Sequence, residues 1–207
     1  MAGHGISRSH EARRRIALEA ARLMSEGGLR DYRQAKEKAA ARLGIFDESS
    51  LPKNSEIEDA LREHQRLFHA EDQPRALRRL REAAREAIRF FAAHEPRLVG
   101  AVLDGTADEH SAVCLHLYTD QPDAVLVQLQ ERRVAYEEQS RRMRIDRTTL
   151  REYPALRFNA GDTPIDLTVL PYDLLRQAPL DRISSDKPMQ RATAAALDSL
   201  LEDAAGD

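Results

Sequence analysis

A chain of 207 residues with 42% hydrophobic side chains holds enough apolar material to bury a core, in one large domain or two small ones. Its single cysteine, Cys114, excludes an intramolecular disulfide, a thiolate zinc cluster and a CxxC redox motif, so a reducing cytoplasm is the expected location. Charged residues make up 32% of the chain but nearly cancel to a net of −3, which gives no bulk attraction to nucleic acid. No apolar run approaches the roughly 20 residues that span a bilayer, so no membrane partner is expected. The basic residues are nearly all arginine, the lysines being Lys36, Lys38, Lys53 and Lys187. That bias reads either as a GC-rich coding sequence or as a phosphate-binding surface, which guanidinium forks suit.

Apolar positions Ile16, Ala20, Leu23 and Met24 recur at helical spacing across residues 11–26, and Gly27-Gly28 stands where a helix should stop. Asp31 is placed to cap a second helix over residues 32–43, with Ala35, Ala39 and Leu43 on one face and Gly44 at its end. After a polar link, the Ser55/Glu58 spacing predicts a capping box ahead of Ile57, Ala60, Leu61, Leu67 and Phe68. A fourth helix is predicted from about Pro74, carrying Leu77, Leu80, Ala84, Ile88 and Phe91 and ending before Pro96. The texture then changes. Runs 97–103 (RLVGAVL) and 111–118 (SAVCLHLY) read as strands around a turn at Asp104, Gly105 and Thr106. Residues 122–132 read as a helix and 134–140 as a strand, while 153–158 and 165–170 flank a hairpin turn at Asn159 to Thr163. A proline-punctuated loop from Pro171 leads to a last amphipathic helix over 189–201. The expected architecture is α+β: a helical N-terminal module, residues 1–72, followed over 73–207 by a small mixed sheet flanked by helices.

This order, with a Gly-Thr turn after the first strand and Asp166 in the late strand PIDLTVL, resembles the core of polymerase-β type nucleotidyltransferases over roughly residues 80–170. The resemblance implies that Gly105 and Thr106 cradle phosphate through backbone amides. It implies that Asp166 is the third carboxylate, a magnesium ligand near the reacting centre. Alternate residues of a strand share a face, so a metal-binding strand shows paired acids. The middle strand here shows Ala112, Cys114, His116 and Tyr118 on that face. The departure implies a transfer activity that is lost or unconventional, a scaffold binding a nucleotide or nucleic acid, and magnesium as cofactor only where activity survives. His116 then stands nearest the chemistry as a base or ligand, and Asp104, Asp108, Glu109 and Asp120 are a substitute ligand set. Each residue also has a plainer reading: Gly105-Thr106 as a tight turn, His116 as an imidazole hydrogen-bonded at a sheet surface, Asp166 as the polar side of a half-solvated strand, Cys114 as packing.

Residues 20–45, AARLMSEGGLRDYRQAKEKAAARLGI, resemble instead the start of a helix-turn-helix regulator of the TetR type. That implies DNA-backbone contacts from Arg30, Arg33, Lys36 and Lys38, joined by Arg13, Arg14, Arg15 and Arg42. The following connection is long and the third helix opens with Glu56, Glu58 and Asp59, so a solvated bundle face is the competing reading. A structural or toxin-neutralising protein partner is a third function class.

Overall fold

The computed structural model describes residues 3–27, 29, 31–68, 72–181 and 187–204. Among them are seven α-helices and a five-stranded mixed sheet. The chain divides into two compact units, Met1–Asp72 and Gln73–Asp207, and no described helix is long and apolar enough to cross a membrane.

The first unit is built from α1 (Gly3–Glu26), α2 (Tyr32–Leu43) and α3 (Asn54–Phe68). Ile16, Ala20, Leu23 and Met24 of α1 pack with Ala35 and Ala39 of α2 and Ile57 and Leu61 of α3 in one core. Alanine at the α2 positions lets the helices approach closely and is the best helix former. Asp31 caps α2 by accepting the Gln34 N–H at 2.9 Å, and the Gly44 N–H closes it on the Ala40 and Ala41 carbonyls. In place of the predicted Ser55/Glu58 capping box, only the acidic half of such a motif forms, two residues earlier. Glu56 reaches back to the Lys53 N–H at 2.7 Å, because Glu58 is turned inward, 5% exposed, where it accepts the Tyr32 hydroxyl. Gly28, read as a helix stop, lies outside the described residues.

The second unit contains α4 (Asp72–Phe90), β1 (Arg97–Val99), α5 (Ala101–Asp104), β2 (Val113–Tyr118), α6 (Pro122–Glu131), β3 (Glu137–Arg144), β4 (Leu150–Ala160), β5 (Thr163–Leu170) and α7 (Ala194–Asp203). The sheet order is β1-β2-β5-β4-β3. β2 and β5 run parallel and the other neighbours antiparallel. Strand alternation sorts the residues. Val113, Leu115 and Leu117 of β2, Ile165, Leu167 and Val169 of β5, Leu98 and Leu156 form one core with Leu80, Ala84 and Ile88 of α4, Val125 and Leu129 of α6 and Leu197 and Leu201 of α7. The intervening residues of every strand face away from that core, and they carry the polar groups taken up below. At the end of β2 and β5 this second face is closed by a small cluster of Tyr118, Met143, Ile145, Tyr153, Leu170 and Leu174.

Several boundaries differ from the sequence reading. The run 97–103 is a strand only to Val99; Val102 and Leu103 belong to α5, with Val102 buried in the core. The strand expected at 134–140 lies at Glu137–Arg144. The hairpin turn is two residues, Gly161 and Asp162, between the paired Ala160 and Thr163. Gly161 takes the φ of +61° that a loop this short requires at its first position. The last helix begins at Ala194, capped by the Thr193 hydroxyl. Residues just before it are spent elsewhere: Ala192 exchanges backbone hydrogen bonds of 2.9 Å with Leu98 at the β1 edge.

Candidate functional site on the polar face of the sheet

Register places the predicted site residues side by side. Cys114 is opposite Asp166 and His116 opposite Thr168 across the β2–β5 pair, with Arg157 opposite Asp166 across β4–β5 and Arg97 opposite His116 across β1–β2. All therefore share the face turned away from the helices. This explains how a carboxylate sits inside an apolar-looking strand: Ile165 and Leu167 feed the core, and Asp166 between them points the other way. The face is nonetheless well shielded. Thr168 is 0%, His116 2% and Asp166 9% exposed.

A shielded carboxylate needs a cation or donors. Asp166 Oδ2 accepts from Arg141 Nη2 at 2.7 Å, and Arg157 Nε stands 3.9 Å away. Arg141 comes from β3 and crosses β4 to reach β5, where its Nη1 also donates to the Thr168 hydroxyl at 3.1 Å. β4 places Ala155 directly opposite Thr168, and a methyl group there leaves room for the guanidinium. The other oxygen, Asp166 Oδ1, is buried with no hydrogen-bond partner among the described residues, and the same holds for His116 Nδ1.

Burial pushes the His116 pKa down to about 3, helped by the positive charges of Arg141 and Arg191. At neutral pH the ring is uncharged, so it can give or take one hydrogen bond but contributes no charge. Arg191 reaches the face from the segment before α7. It donates to the Tyr118 hydroxyl at 2.8 Å and to the Leu174 and Leu175 carbonyls, and its guanidinium lies 5.5 Å from the Tyr118 ring centroid. Arg97 is paired with Glu95 at 3.1 Å. The face thus holds Asp166 amid arginines, with a neutral imidazole and the half-buried thiol of Cys114 where the resemblance would put carboxylates.

These residues do not fit magnesium, which takes octahedral oxygen ligands drawn from one or two carboxylates, waters and substrate phosphates. Asp166 is already neutralised by Arg141, and no group of three His, Cys, Asp or Glu side chains placed to hold a metal occurs among the described residues. Of the substitute acidic set, Asp108 is spent on the His110 N–H and the Ser111 hydroxyl, and Asp120 accepts the Tyr172 N–H. Glu109 is exposed beside His110.

Gly105 and Thr106 follow α5 rather than a strand. Gly105, at φ +80°, caps α5 by donating its N–H to Ala101. Its carbonyl accepts from Gln73 at 2.9 Å, and a side chain at this position would point to Arg81 of α4, 4.0 Å from the guanidinium. Thr106 is 5% exposed and also donates its N–H to Ala101. The contacts of this pair lie toward α4 and α5, while those of Asp166 lie toward β3 and β4. The residues missing from the sequence reading are Arg141, Arg157, Arg191 and Thr168. Arg157 and Thr168 could have been found by counting alternate positions from Asp166; Arg141 and Arg191 carried no local signal.

In the first unit, Arg33 pairs with Glu37 at 3.7 Å. Lys36 is turned onto the Pro52 carbonyl at 2.8 Å, with burial lowering its pKa. Lys38 is exposed, and Arg30 lies outside the described residues. No protein-family model matches the chain, and comparison with curated proteins and with solved structures finds no match.

Proposed function

We propose that the polar face of the sheet binds a phosphate-bearing ligand, a nucleotide above all, without the two-metal transfer chemistry of the nucleotidyltransferases that the chain resembles. The observation that carries this reading is the pair of buried, unpartnered atoms, Asp166 Oδ1 and His116 Nδ1, set among Arg97, Arg141, Arg157 and Arg191. Arginine forks match phosphate oxygens. The free carboxylate oxygen is an acceptor that a ribose hydroxyl or a base amino group would satisfy. The protein is accordingly a nucleotide-binding scaffold rather than a transferase.

The test is thermal unfolding of the full chain with each ribonucleoside triphosphate, in EDTA and in magnesium. Ligand at about 100 times its Kd adds roughly 2.7 kcal/mol, a shift of several degrees for a chain of this size. The expected shift occurs in EDTA and vanishes in Arg157→Ala, whose half-exposed side chain can be removed without unfolding the sheet. No shift with any nucleotide, or a shift that strictly requires magnesium, would overturn the proposal. Inorganic triphosphate should give a smaller shift than the nucleotides, because it brings nothing to donate to Asp166.

A further inference from the structure

The first unit has a groove of about 320 Å³ between α1 and α3, with Ala17 and Ala60 between its walls, His10, Arg14 and Leu18 on the α1 side and Glu56, Asp59 and Glu63 on the α3 side. We propose that this groove is a self-association surface that seats the α1 ridge of a second copy of the chain.

Three features of the groove point to a helix as occupant. Ala17 and Ala60 are small, which lets another helix approach closely. Arg14 and Leu18 are one helical turn apart, as are Asp59 and Glu63, so each wall presents a row parallel to its helix axis. Leu18 is left 46% exposed at the rim although its neighbour Ala17 is buried. An apolar side chain uncovered beside an apolar trough is a knob adjacent to a hole.

The charges then select the occupant. The α3 wall is acidic, and the α1 ridge carries Leu18 flanked at one turn by Arg14 and Arg15, both exposed. A leucine with cationic neighbours is the complement of an apolar trough with an acidic wall. Since one chain supplies both knob and hole, a twofold arrangement satisfies both copies at once. Among the described residues neither Arg14 nor Asp59 is engaged in an ion pair, so both are available to a partner. The area is modest. α3 is about 22 Å long and a two-helix face about 20 Å wide, roughly 450 Å² per copy, against about 800 Å² for a standard interface. The association is therefore weak and salt-sensitive.

Sedimentation velocity of the full chain from about 1 to 200 µM tests this, since a face this small corresponds to dissociation constants in the micromolar range or weaker. The wild type should move from monomer toward dimer. Leu18→Ser, Arg14→Glu and Asp59→Arg should each weaken dimerisation about tenfold or more with unchanged circular dichroism, and the double swap Arg14→Glu/Asp59→Arg should restore it. Overturning results are a wild type monomeric at every concentration, a dimer indifferent to all of these substitutions, or a monomer that takes up a cationic amphipathic peptide in the groove instead. Nucleotide binding on the sheet does not enter the readout.

Discussion

Acidification should destabilise the second unit through His116 in particular. In the unfolded chain the imidazole titrates near its ordinary value of about 6.5. In the fold, burial first and then Arg141 and Arg191 hold its pKa at about 3. Between those values the unfolded state binds a proton that the native state refuses, so stability is fully present above pH 6.5 and is lost as the pH falls. The slope approaches about 1.4 kcal/mol per pH unit once the unfolded imidazole is fully protonated, so the loss between pH 6.5 and 4.5 is roughly 2 kcal/mol. At about 3 °C per kcal/mol for a domain of this size, that is a drop of roughly 6 °C in Tm. Carboxylates titrate in the same range, so the measurement is a difference: thermal unfolding of wild type and His116→Gln at both pH values. His116→Gln keeps a polar side chain of similar reach and cannot take up the proton. The variant should lose fewer degrees than wild type by about the amount above. Equal losses would show that His116 reaches solvent or a compensating carboxylate when protonated, and the reasoning about the shielded face would fall with it.

Arg141→Ala should cost about 2–3 kcal/mol in chemical denaturation, because it strands the 12%-exposed Asp166 side chain with only Arg157 at 3.9 Å. Asp166→Asn in that background should recover part of the loss, and a double-mutant cycle reads the coupling. In the first unit, Asp31→Ala removes the cap on the Gln34 N–H and should lower stability by about 1 kcal/mol; native-state hydrogen exchange would find the loss in α2, and an unchanged exchange pattern would contradict the capping role.

How much of this was legible in the sequence follows from where each segment keeps its information. α4 was readable because Leu80, Ala84 and Ile88 repeat at helical spacing and are buried in that order. β2 and β5 were readable as apolar runs, and the two-sided character of β5 was implicit in Asp166 standing between Ile165 and Leu167. β3 (EEQSRRMR) was placed three to four residues early, since as a polar edge strand it buries only Met143 and shows no alternation. With β3 misplaced, Arg141 could not be seen. Its partner lies 25 residues away in sequence, and the contact exists only because the β3–β4 and β4–β5 hairpins bring the strands together. The overrun of the first strand has a similar cause: Val102 is as apolar as Val99, and local composition cannot tell a strand from a helical turn that feeds the same core. Gly105 at φ +80° fits the tight turn that was the alternative to a phosphate cradle, but its use as the cap of α5 depends on a helix that the strand reading excludes.

The charge arrangement of the polar face carries the functional argument further than any single residue. In a two-metal site, carboxylates cluster and the ions supply the compensating positive charge. Here the chain's own side chains supply the compensating charge: Arg141 sits 2.7 Å from Asp166, while Arg157 lies farther off and Arg191 has neutral hydrogen-bond partners in the Tyr118 hydroxyl and two carbonyls. The surplus on the shielded face is positive, and the depressed pKa of His116 reports the same field from a neighbouring strand. A divalent cation placed beside Asp166 would add charge of the sign already in excess, next to a guanidinium held by both Asp166 and Thr168. The phosphate proposed as ligand would bring the opposite sign. The charge arrangement of these strands therefore favours an anion over a metal, because Arg141 on a polar edge strand already supplies the positive charge beside Asp166.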